Sequence, residues 1–582
     1  MTTEVLDPAV AAAEAAVARI CGAIDQRNSF LLEAGAGSGK TTSLTKALTH
    51  IIKTRGAELL KKNQQVACIS YTNIASKVIA SRVDQDPVVF ASTIHSFCWL
   101  LIKDFQSQLR LELLTMPKWV ERLSAIDGIG TKSIEYTLGH PSARKENSYV
   151  SLGHNDVLAL AARLLRHAKF RQLMASRFPI LFIDEYQDTD AEFVSALKTH
   201  VLGTPNCPLV GFFGDHWQQI YDRTCGRIEH ESIIEIPQGA NFRSDTAIVD
   251  VLNRMRPGLP QRTRGQSSPG LAVAYHTNDW RGQRQKGSQW KGDLPADIAH
   301  SHLQTLRAQL ESEGWDFTAK KTKILMLTHN VLAQEQGYGG IAKAFSGSNS
   351  SFANKEDDYV KFFVDGLEPV CRAYERKQYG EMFLAFGAGA PTIRSHIDKT
   401  RIAKEMDKLI ALRSSESVGA IIEHLSASGF PQLPEAIEEK ERRFKAVPLT
   451  EDKVEQWIER LRAFRQVPYK EVIALTDFLS ESTLFSTKHG VKGDEFENVL
   501  VVVGRGWNQY DFNQFLELSA RPDSIPDSKV DAYERNRNLL YVAFSRAKAR
   551  LAVLFTQELS EMAMSTLSRW FGEENVRATK LA

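Results

Sequence analysis

The stretch from Leu31 to Leu44, LLEAGAGSGKTTSL, constrains the fold of this chain more than any other. A strand-like apolar segment runs into glycines, which are followed by a lysine and two threonines. A dinucleotide-binding turn of the form G-x-G-x-x-G would need a glycine where Lys40 stands, which disfavours that design. A nucleoside-triphosphate loop instead ends in Gly-Lys-Thr, supplied here by Gly39, Lys40 and Thr41. The pattern therefore predicts a nucleotide-binding strand–loop–helix unit, and not a glycine-rich turn without a ligand.

Composition indicates a soluble globular protein of several domains. The 582 residues are 43% hydrophobic and 24% charged. At about 150 residues per domain, a chain of this length suggests roughly three to five units. The formal net charge is only +2, so any nucleic-acid surface would have to be a local groove.

Three features of the sequence favour a cytoplasmic location without membrane association. No apolar run is long enough to span a bilayer. The alanine-rich start is preceded by acidic residues, which predicts an amphipathic helix and not a secretory signal. The 6 cysteines are scattered without a C-x-x-C pair, so neither a zinc site nor a disulfide framework is expected.

Short apolar runs bounded by polar or turn residues predict buried parallel strands. These runs are residues 65–70, 179–183, 208–213, 323–327, 499–503 and 550–555. Helical patterns lie between most of them, so we predict an α/β fold with more than one parallel sheet. Residues 100–176 and 346–481 lack strand alternation, and we interpret them as inserted helical subdomains.

Two carboxylates end one of these strands, in the stretch PILFIDEYQDTD. Asp184 and Glu185 would emerge at the carboxyl edge of the sheet, where ligands of open α/β sheets bind. Hydrolysis of a nucleoside triphosphate needs one carboxylate for magnesium and a base that orients water. We assign Asp184 to the metal and Glu185 to the water; the alternative is an acidic strand end exposed to solvent.

Three further side chains fit a role at the γ-phosphate. Gln218 follows a second buried strand and could sense the phosphate through its amide. Arg243 and Arg546 offer the planar guanidinium fork that stabilises phosphoryl charge.

The order of these segments resembles the UvrD/Rep/PcrA branch of superfamily 1 DNA helicases. The resemblance covers nearly the whole chain and is carried by AGAGSGKTT, ISYTNIAS, STIHSFC, FIDEYQD, FGDHWQQIY, NFRS, STKHGVKGDEFENVLVV and YVAFSRAKARL. It implies two RecA-like motor domains, each with an inserted helical subdomain. ATP would bind in the cleft between the motors, and single-stranded DNA would cross their tops.

The resemblance also implies the domain boundaries. The first motor is expected at residues 1–99 and 177–256, with its insertion at 100–176. The second motor is expected at residues 257–345 and 482–582, with its insertion at 346–481.

The site residues implied by the resemblance fall into four groups. Catalytic roles are expected for Lys40, Glu185, Gln218, Arg243 and Arg546. Nucleotide contacts are expected at Gln26, Ala34, Gly35, Ala36, Gly37, Ser38, Gly39, Lys40, Thr41, Thr42, Gln187, Phe242 and Glu495. Thr41 and Asp184 are the expected magnesium ligands. The DNA path is expected at Tyr71, Thr72, Asn73, His95, Tyr221, Arg223 and His489.

Two positions depart from the family pattern. Gln26 lies closer to the phosphate loop in sequence than the adenine-reading glutamine of the family. Arg223 and Thr224 stand where the family has a tryptophan and an arginine, which alters the platform on which bases stack. A guanidinium can still stack on a base.

The sequence thus predicts a motor that uses ATP and Mg²⁺ to move along single-stranded DNA, with a 3′ to 5′ polarity taken from the resemblance alone. The alternative is an NTPase subunit of an anti-phage complex that senses DNA ends and activates a partner nuclease. The altered platform and the short second insertion favour that alternative. A catalytically inactive DNA scaffold is disfavoured because every catalytic position is filled.

Overall fold

The computed structural model describes residues 7–137, 141–221, 224–265, 268–287, 290–326, 336–345, 357–446, 455–479, 485–486, 494–504 and 510–579. Fifteen strands in this part of the chain form two large sheets and one small one. In chain order, β1 to β9 are Ser29–Ala34, Val66–Ser70, Val89–Thr93, Ser133–Tyr136, Ser142–Ala143, Tyr149–Leu152, Ile180–Asp184, Leu209–Gly214 and Ile233–Gln238. Strands β10 to β15 are Leu271–His276, Thr322–Met326, Phe485–Ser486, Phe496–Val503, Ala547–Phe555 and Val576–Ala578.

The α-helices of the described residues alternate with these strands. Helices α1 to α11 are Pro8–Asp25, Lys40–Lys61, Asn73–Arg82, Ile94–Ile102, Gln106–Leu113, Pro117–Ser124, His154–Leu164, Ala168–Arg177, Ala191–His200, Thr246–Met255 and Ala296–Ser312. Helices α12 to α23 are Gly339–Ala344, Asp358–Lys361, Glu368–Glu375, Tyr379–Phe386, His396–Ser415, Val418–Ser428, Glu435–Ala446, Gln456–Arg465, Lys470–Leu479, Phe512–Ser519, Asp527–Phe544 and Glu561–Phe571.

Two parallel sheets confirm the predicted α/β class with two RecA-like domains. The first has the order β3-β2-β7-β8-β1-β9, and the second has the order β12-β11-β13-β14-β10-β15. Every residue of β2, β7 and β8 is buried. Helices cover both faces of such a sheet, which explains why these strands are continuous apolar runs.

The first insertion is a correction to the sequence prediction, because it is not purely helical. Between α6 and α7, strands β4, β6 and β5 form a three-stranded sheet. Each has only 2 to 4 residues. Alternation over so few residues cannot be distinguished from irregular sequence. The insertion shares one apolar core with a face of the first sheet, in which Trp119 and Leu152 are buried beside Ile183.

Helix α10 belongs by its packing to the second sheet. Its buried residues Ile248, Val251 and Leu252 share a core with Ala272 of β10 and Val553 of β14. The boundary expected at residue 256 had assigned this helix to the first motor. The NFRS segment, residues 241–244, therefore lies between β9 of the first sheet and a helix that packs on the second.

The second insertion is helical in its described residues and is held by a buried ion pair. Arg413 of α16 donates to Glu368 of α14 through Nε and Nη2, at 2.9 and 2.7 Å. Tyr469 donates to the same carboxylate at 3.0 Å. Glu368 is fully buried and Arg413 is 3% exposed, so neither charge has solvent to replace its partner.

Replacing Glu368 with alanine should loosen the second insertion. Breaking a buried ion pair by removing one partner costs about 3–5 kcal/mol, and Arg413 would keep only its longer contact with Glu375 Oε1, at 3.3 Å. Native-state hydrogen exchange should show the opening free energy of α16 falling by that amount. Glu438→Ala, on the exposed face of α18, is the matched control. Unchanged protection of α16 in Glu368→Ala would contradict the assigned role of the pair.

Candidate functional site

The phosphate loop joins β1 to α2 and has the conformation that its glycines predict. Gly37 and Gly39 adopt φ values of +72° and +80°, in the left-handed region that favours glycine. A Cβ at Gly37 would lie 2.8 Å from Cβ of Arg243, so the loop tolerates no side chain there. Helix α2 begins at Lys40, and its first-turn N–H groups form a site suited to an anion. The Ser38 hydroxyl is buried and makes no hydrogen bond within the described part of the chain.

The two predicted carboxylates lie beside this loop. Asp184 ends β7, which is separated from β1 by β8 alone. The Glu185 Oε2 atom lies 3.5 Å from Lys40 Nζ and accepts a hydrogen bond from Gln187 Nε2 at 2.6 Å. Glu185 has a φ of +50°, a left-handed conformation that turns the chain sharply after the strand. Thr41 and Thr42 lie in the first turn of α2, next to Lys40.

Burial, and then the charge of Glu185, raise the pKa of the Asp184 carboxyl to about 7. Lys40 acts in the opposite direction but does not cancel these effects. A carboxylate pushed toward protonation binds a cation favourably, because the cation removes both the desolvation cost and the repulsion.

Gln218 lies where the two motors meet. Its Nε2 donates to Asp215 Oδ2 at 2.8 Å, and its Oε1 accepts from Arg546 Nη2 at 3.5 Å. Gln187 is fully buried, and its Oε1 accepts from the Asp215 N–H at 3.1 Å. Gln187 therefore links Glu185, which follows β7, to Asp215, which follows β8, and Gln218 links Asp215 to the second motor.

Arg546 is a buried cation in the cleft between the two motors. It lies just before β14 and is 2% exposed. Among the described residues it forms no ion pair; it donates to the carbonyls of Val542 and Asp494. Desolvation, and then the nearby Arg243, lower the pKa of Arg546 to about 9. A buried guanidinium without a carboxylate would be stabilised by an anion placed beside it.

The NFRS segment contacts the phosphate loop directly. The Phe242 N–H donates to Gly37 O at 2.8 Å, and Asn241 Nδ2 donates to Ala36 O at 3.2 Å. Arg243 donates to Glu495 Oε2 at 2.9 Å and to Ser545 O at 3.0 Å. The structure thus brings Arg243 and Glu495 together.

The ring of Phe242 lies over the end of the loop. A Cβ at Gly39 would lie 3.5 Å from it, and the Arg264 guanidinium is 5.6 Å from the ring centroid. Ala34 ends β1, and Gly35 packs against Gln261.

Gln26 is the predicted nucleotide contact that the structure separates from the site. It caps the end of α1 and precedes β1, whereas the phosphate loop follows β1. At about 3.3 Å per residue, the 6 residues of β1 place it near the opposite edge of the sheet. Its side chain is exposed and accepts a hydrogen bond from Asn28. The assignment of Gln26 to the nucleotide is therefore corrected.

Several residues at the loop were not predicted from the sequence. Tyr541 accepts a hydrogen bond from the Ala36 N–H at 3.4 Å, and Gln238 donates to Ser38 O. Asp7 accepts from the Gly265 N–H at 2.8 Å, which ties the start of α1 to the segment that carries Arg264. The neighbouring NFRS motif was the only signal near Gln238, Tyr541 is the first residue of the YVAFSRAKARL motif, and nothing local marked Asp7.

The predicted DNA residues that the structure describes lie at the same carboxyl edge. Tyr71 follows β2 and stacks on Tyr221, with ring centroids 5.4 Å apart at 24°. Thr72 caps α3, and Asn73 is its first residue. His95 follows β3 and lies 4.6 Å from the ring of His154. Arg223 and His489 lie outside the described residues.

His95 is a neutral ring at physiological pH. Burial, and then the neighbouring His154, lower the pKa of His95 to about 4. An uncharged imidazole at this place can stack but does not offer a positive charge to a phosphate.

Two parallel-sheet domains, the first with a phosphate-loop motif after β1, have the fold of a helicase-type nucleoside triphosphatase. Residues 17–224 match the AAA domain family. The chain is also similar to the Gabija protein GajB of Bacillus cereus (strain HuB5-5), with 22% identity over an alignment of 694 positions that covers 95% of this chain and 96% of that protein. Both matches confirm the resemblance to UvrD-like proteins and the prediction of nucleotide binding. Among the described helices, none has the length and apolar character needed to cross a membrane.

Proposed function

We propose that the chain hydrolyses ATP in the cleft between its motors and couples hydrolysis to single-stranded DNA. The observation that carries this proposal is the buried Arg546, which the second motor places against Gln218 of the first. A γ-phosphoryl group beside Lys40 would supply the anion that this guanidinium lacks. Stabilisation of phosphoryl charge then depends on how closely the motors approach.

The remaining residues take roles that their positions support. Glu185 lies next to Lys40 and would accept a proton from the attacking water. Asp184 and Thr41 offer hard oxygen donors of the kind Mg²⁺ prefers, and the ion would neutralise phosphate charge there. Phe242 would stack on the base.

Single-stranded DNA would cross the carboxyl edge of the first sheet. Tyr71 is 45% exposed although it stacks on Tyr221, so one ring face is open to a base. Base–aromatic stacking contributes about 1–3 kcal/mol per base without reading sequence. We propose movement 3′ to 5′, in line with the resemblance described above.

A second candidate function is favoured by the similarity to the Gabija protein GajB along almost the whole chain. In this alternative the chain works in anti-phage defence, where DNA ends stimulate its hydrolysis and it activates a partner nuclease. Both candidate functions use the same nucleotide site. They differ in whether ATP hydrolysis there is stimulated along the length of a DNA strand or by its ends.

Steady-state ATPase on single strands of increasing length separates the two candidates. The strands are compared at equal nucleotide concentration and then at equal concentration of ends. Turnover that climbs with length toward a plateau supports translocation. Turnover that follows the number of ends and ignores length supports sensing. Turnover indifferent to DNA would contradict both.

Binding of a magnesium nucleotide should release a proton from Asp184. Because the pKa of this carboxyl is raised to about 7, it is largely protonated in mildly acidic buffer and must ionise to meet a cation. Affinity should therefore rise as the pH increases through that value and level off above it. Calorimetry at about pH 6.5 in two buffers of different ionisation enthalpy measures the released proton. The Asp184→Asn variant should lose this buffer dependence; an equal dependence in both proteins would refute the assignment.

A further inference from the structure

Arg256 crosses from the second motor to the first. It caps the end of α10, which packs on the second sheet, and it is 5% exposed. Its Nη1 donates to Asp215 Oδ1 at 2.8 Å, and its Nη2 donates to Glu33 Oε1 at 2.6 Å. Glu33 lies in β1 and Asp215 follows β8, so one guanidinium clamps two neighbouring strands of the other motor.

Asp215 divides its two oxygens between Arg256 and Gln218. Oδ1 accepts from Arg256, while Oδ2 accepts from Gln218 Nε2 at 2.8 Å. With its N–H₂ group held by the carboxylate, Gln218 turns its amide oxygen toward Arg546. The orientation of Gln218 therefore depends on where Asp215 lies, and Arg256 holds Oδ1 of Asp215 together with the Trp217 N–H, which donates to it at 3.0 Å.

Aromatic rings keep the guanidinium of Arg256 in place. Its Cζ atom lies 5.0 Å from the centroid of Trp217 and 5.8 Å from that of Tyr541. Tyr541 in turn accepts a hydrogen bond from the Ala36 N–H of the phosphate loop. A planar cation packed in this way has one geometry available, and a lysine ammonium cannot reproduce its fork.

Glu33 is the second carboxylate that pairs with the Arg256 guanidinium. Burial opposes its ionisation, but the hydrogen bond with His216, the charges of His216 and Arg256, and the hydrogen bond from Tyr186 together lower the pKa of Glu33 to about 2. Glu33, Asp215 and His216 offer ligand atoms within 4.8 Å of one another. The cation in this cluster is Arg256 itself, so the cluster needs no metal ion.

We propose that Arg256 is a positioning residue that couples the γ-phosphate sensor Gln218 to the second motor. The inference rests on the proposed ATPase. When the motors move relative to one another, Arg256 carries Asp215 with it, and Asp215 turns the amide of Gln218 toward or away from Arg546. Glu33 anchors the same guanidinium but does not touch the sensor.

The test compares Arg256→Lys with Glu33→Gln. Lysine retains the buried charge, so Arg256→Lys should melt close to the unaltered protein, but lysine cannot bridge two carboxylates. Glu33→Gln removes the carboxylate that pairs with Arg256 and His216, so its Tm should fall while the protein stays folded. We expect Arg256→Lys to lower the DNA-stimulated kcat roughly 10- to 100-fold, with KM for ATP changed less than about threefold. Glu33→Gln leaves the contact between Arg256 and Asp215 intact, and its kcat should stay within about threefold.

A second variant covers the case in which Arg256→Lys does not fold. Asp215→Asn presents an N–H₂ group to Gln218 and forces its amide to flip, which should reproduce the loss of kcat at constant KM. A kcat of Arg256→Lys within about threefold of normal, or an equal loss in Glu33→Gln, would overturn the inference.

The outcome is distinguishable from failure of the proposed function. If the unaltered chain shows no turnover above that of Lys40→Ala, the ATPase proposal fails. If that difference is large and Arg256→Lys turns over normally, only the coupling role fails.

Discussion

Replacing Arg546 with methionine should lower the DNA-stimulated kcat by about 10³- to 10⁵-fold, the range of an arginine acting on a transferring γ-phosphate. Arg546 enters the cleft from the second motor and contacts Gln218 of the first. Methionine has a similar length but carries no charge, so the phosphoryl charge of the transition state loses its donor. Nucleotide affinity should fall much less than kcat, because the phosphate loop and Lys40 remain.

The same substitution should not destabilise the protein. A charge that is 2% exposed and lacks an ion pair among the described residues is held at a cost, which methionine removes. We therefore expect the Tm of the nucleotide-free Arg546→Met variant to equal or exceed that of the unaltered protein. Arg550→Ala is the matched control, since this β14 residue donates to the Gly314 carbonyl away from the cleft. An Arg546→Met variant with normal kcat would refute the role, whatever its stability.

The phosphate loop and the paired carboxylates could be predicted because each is encoded in a few consecutive residues. Gly37 and Gly39 impose the turn, and a buried strand delivers Asp184 and Glu185 to one edge. Parallel strands end at the same edge, so order along the chain was enough to bring these groups together.

What the sequence did not reveal depends on contacts between distant segments. Arg256 lies in a stretch without a recognisable motif. Its role depends on its hydrogen bonds with Glu33 and Asp215, each more than 40 positions away in the sequence. The prediction for Gln26 was wrong for the opposite reason. Gln26 is near the phosphate loop in sequence, but the whole length of β1 separates the two in space. Proximity along the chain predicts position only within one element.

The burial of charged groups in the cleft also explains why a substitution at this site should lower activity without lowering the stability of the nucleotide-free protein. Arg546 and Asp184 are both buried, and loss of solvation disfavours the charged form of each side chain. The pKa of Arg546 is lowered to about 9, and the pKa of Asp184 is raised to about 7. Each is poised for a ligand of opposite charge. A site built this way gives up stability without nucleotide and gains binding energy with it.

Replacing Glu185 with glutamine should lower kcat about 10²- to 10⁴-fold, the usual contribution of a general base, while leaving nucleotide bound. Glutamine retains the size of the side chain but cannot accept the proton of the attacking water. Its amide also no longer attracts Lys40, which lies 3.5 Å from Glu185 in the free protein and becomes more available to phosphate. We therefore expect ATP to bind as tightly as before or more tightly, and the DNA complex formed with ATP to persist for longer.

Single-turnover hydrolysis and filter binding with labelled nucleotide measure the two effects of Glu185→Gln separately. Glu192→Gln, in the exposed first turn of α9, is the matched control and should behave as the unaltered protein does. If Glu185→Gln hydrolyses ATP at the normal rate, the base must be another group. If it fails to bind nucleotide at all, Glu185 holds the loop together, and the structural contact with Lys40 outweighs the catalytic one.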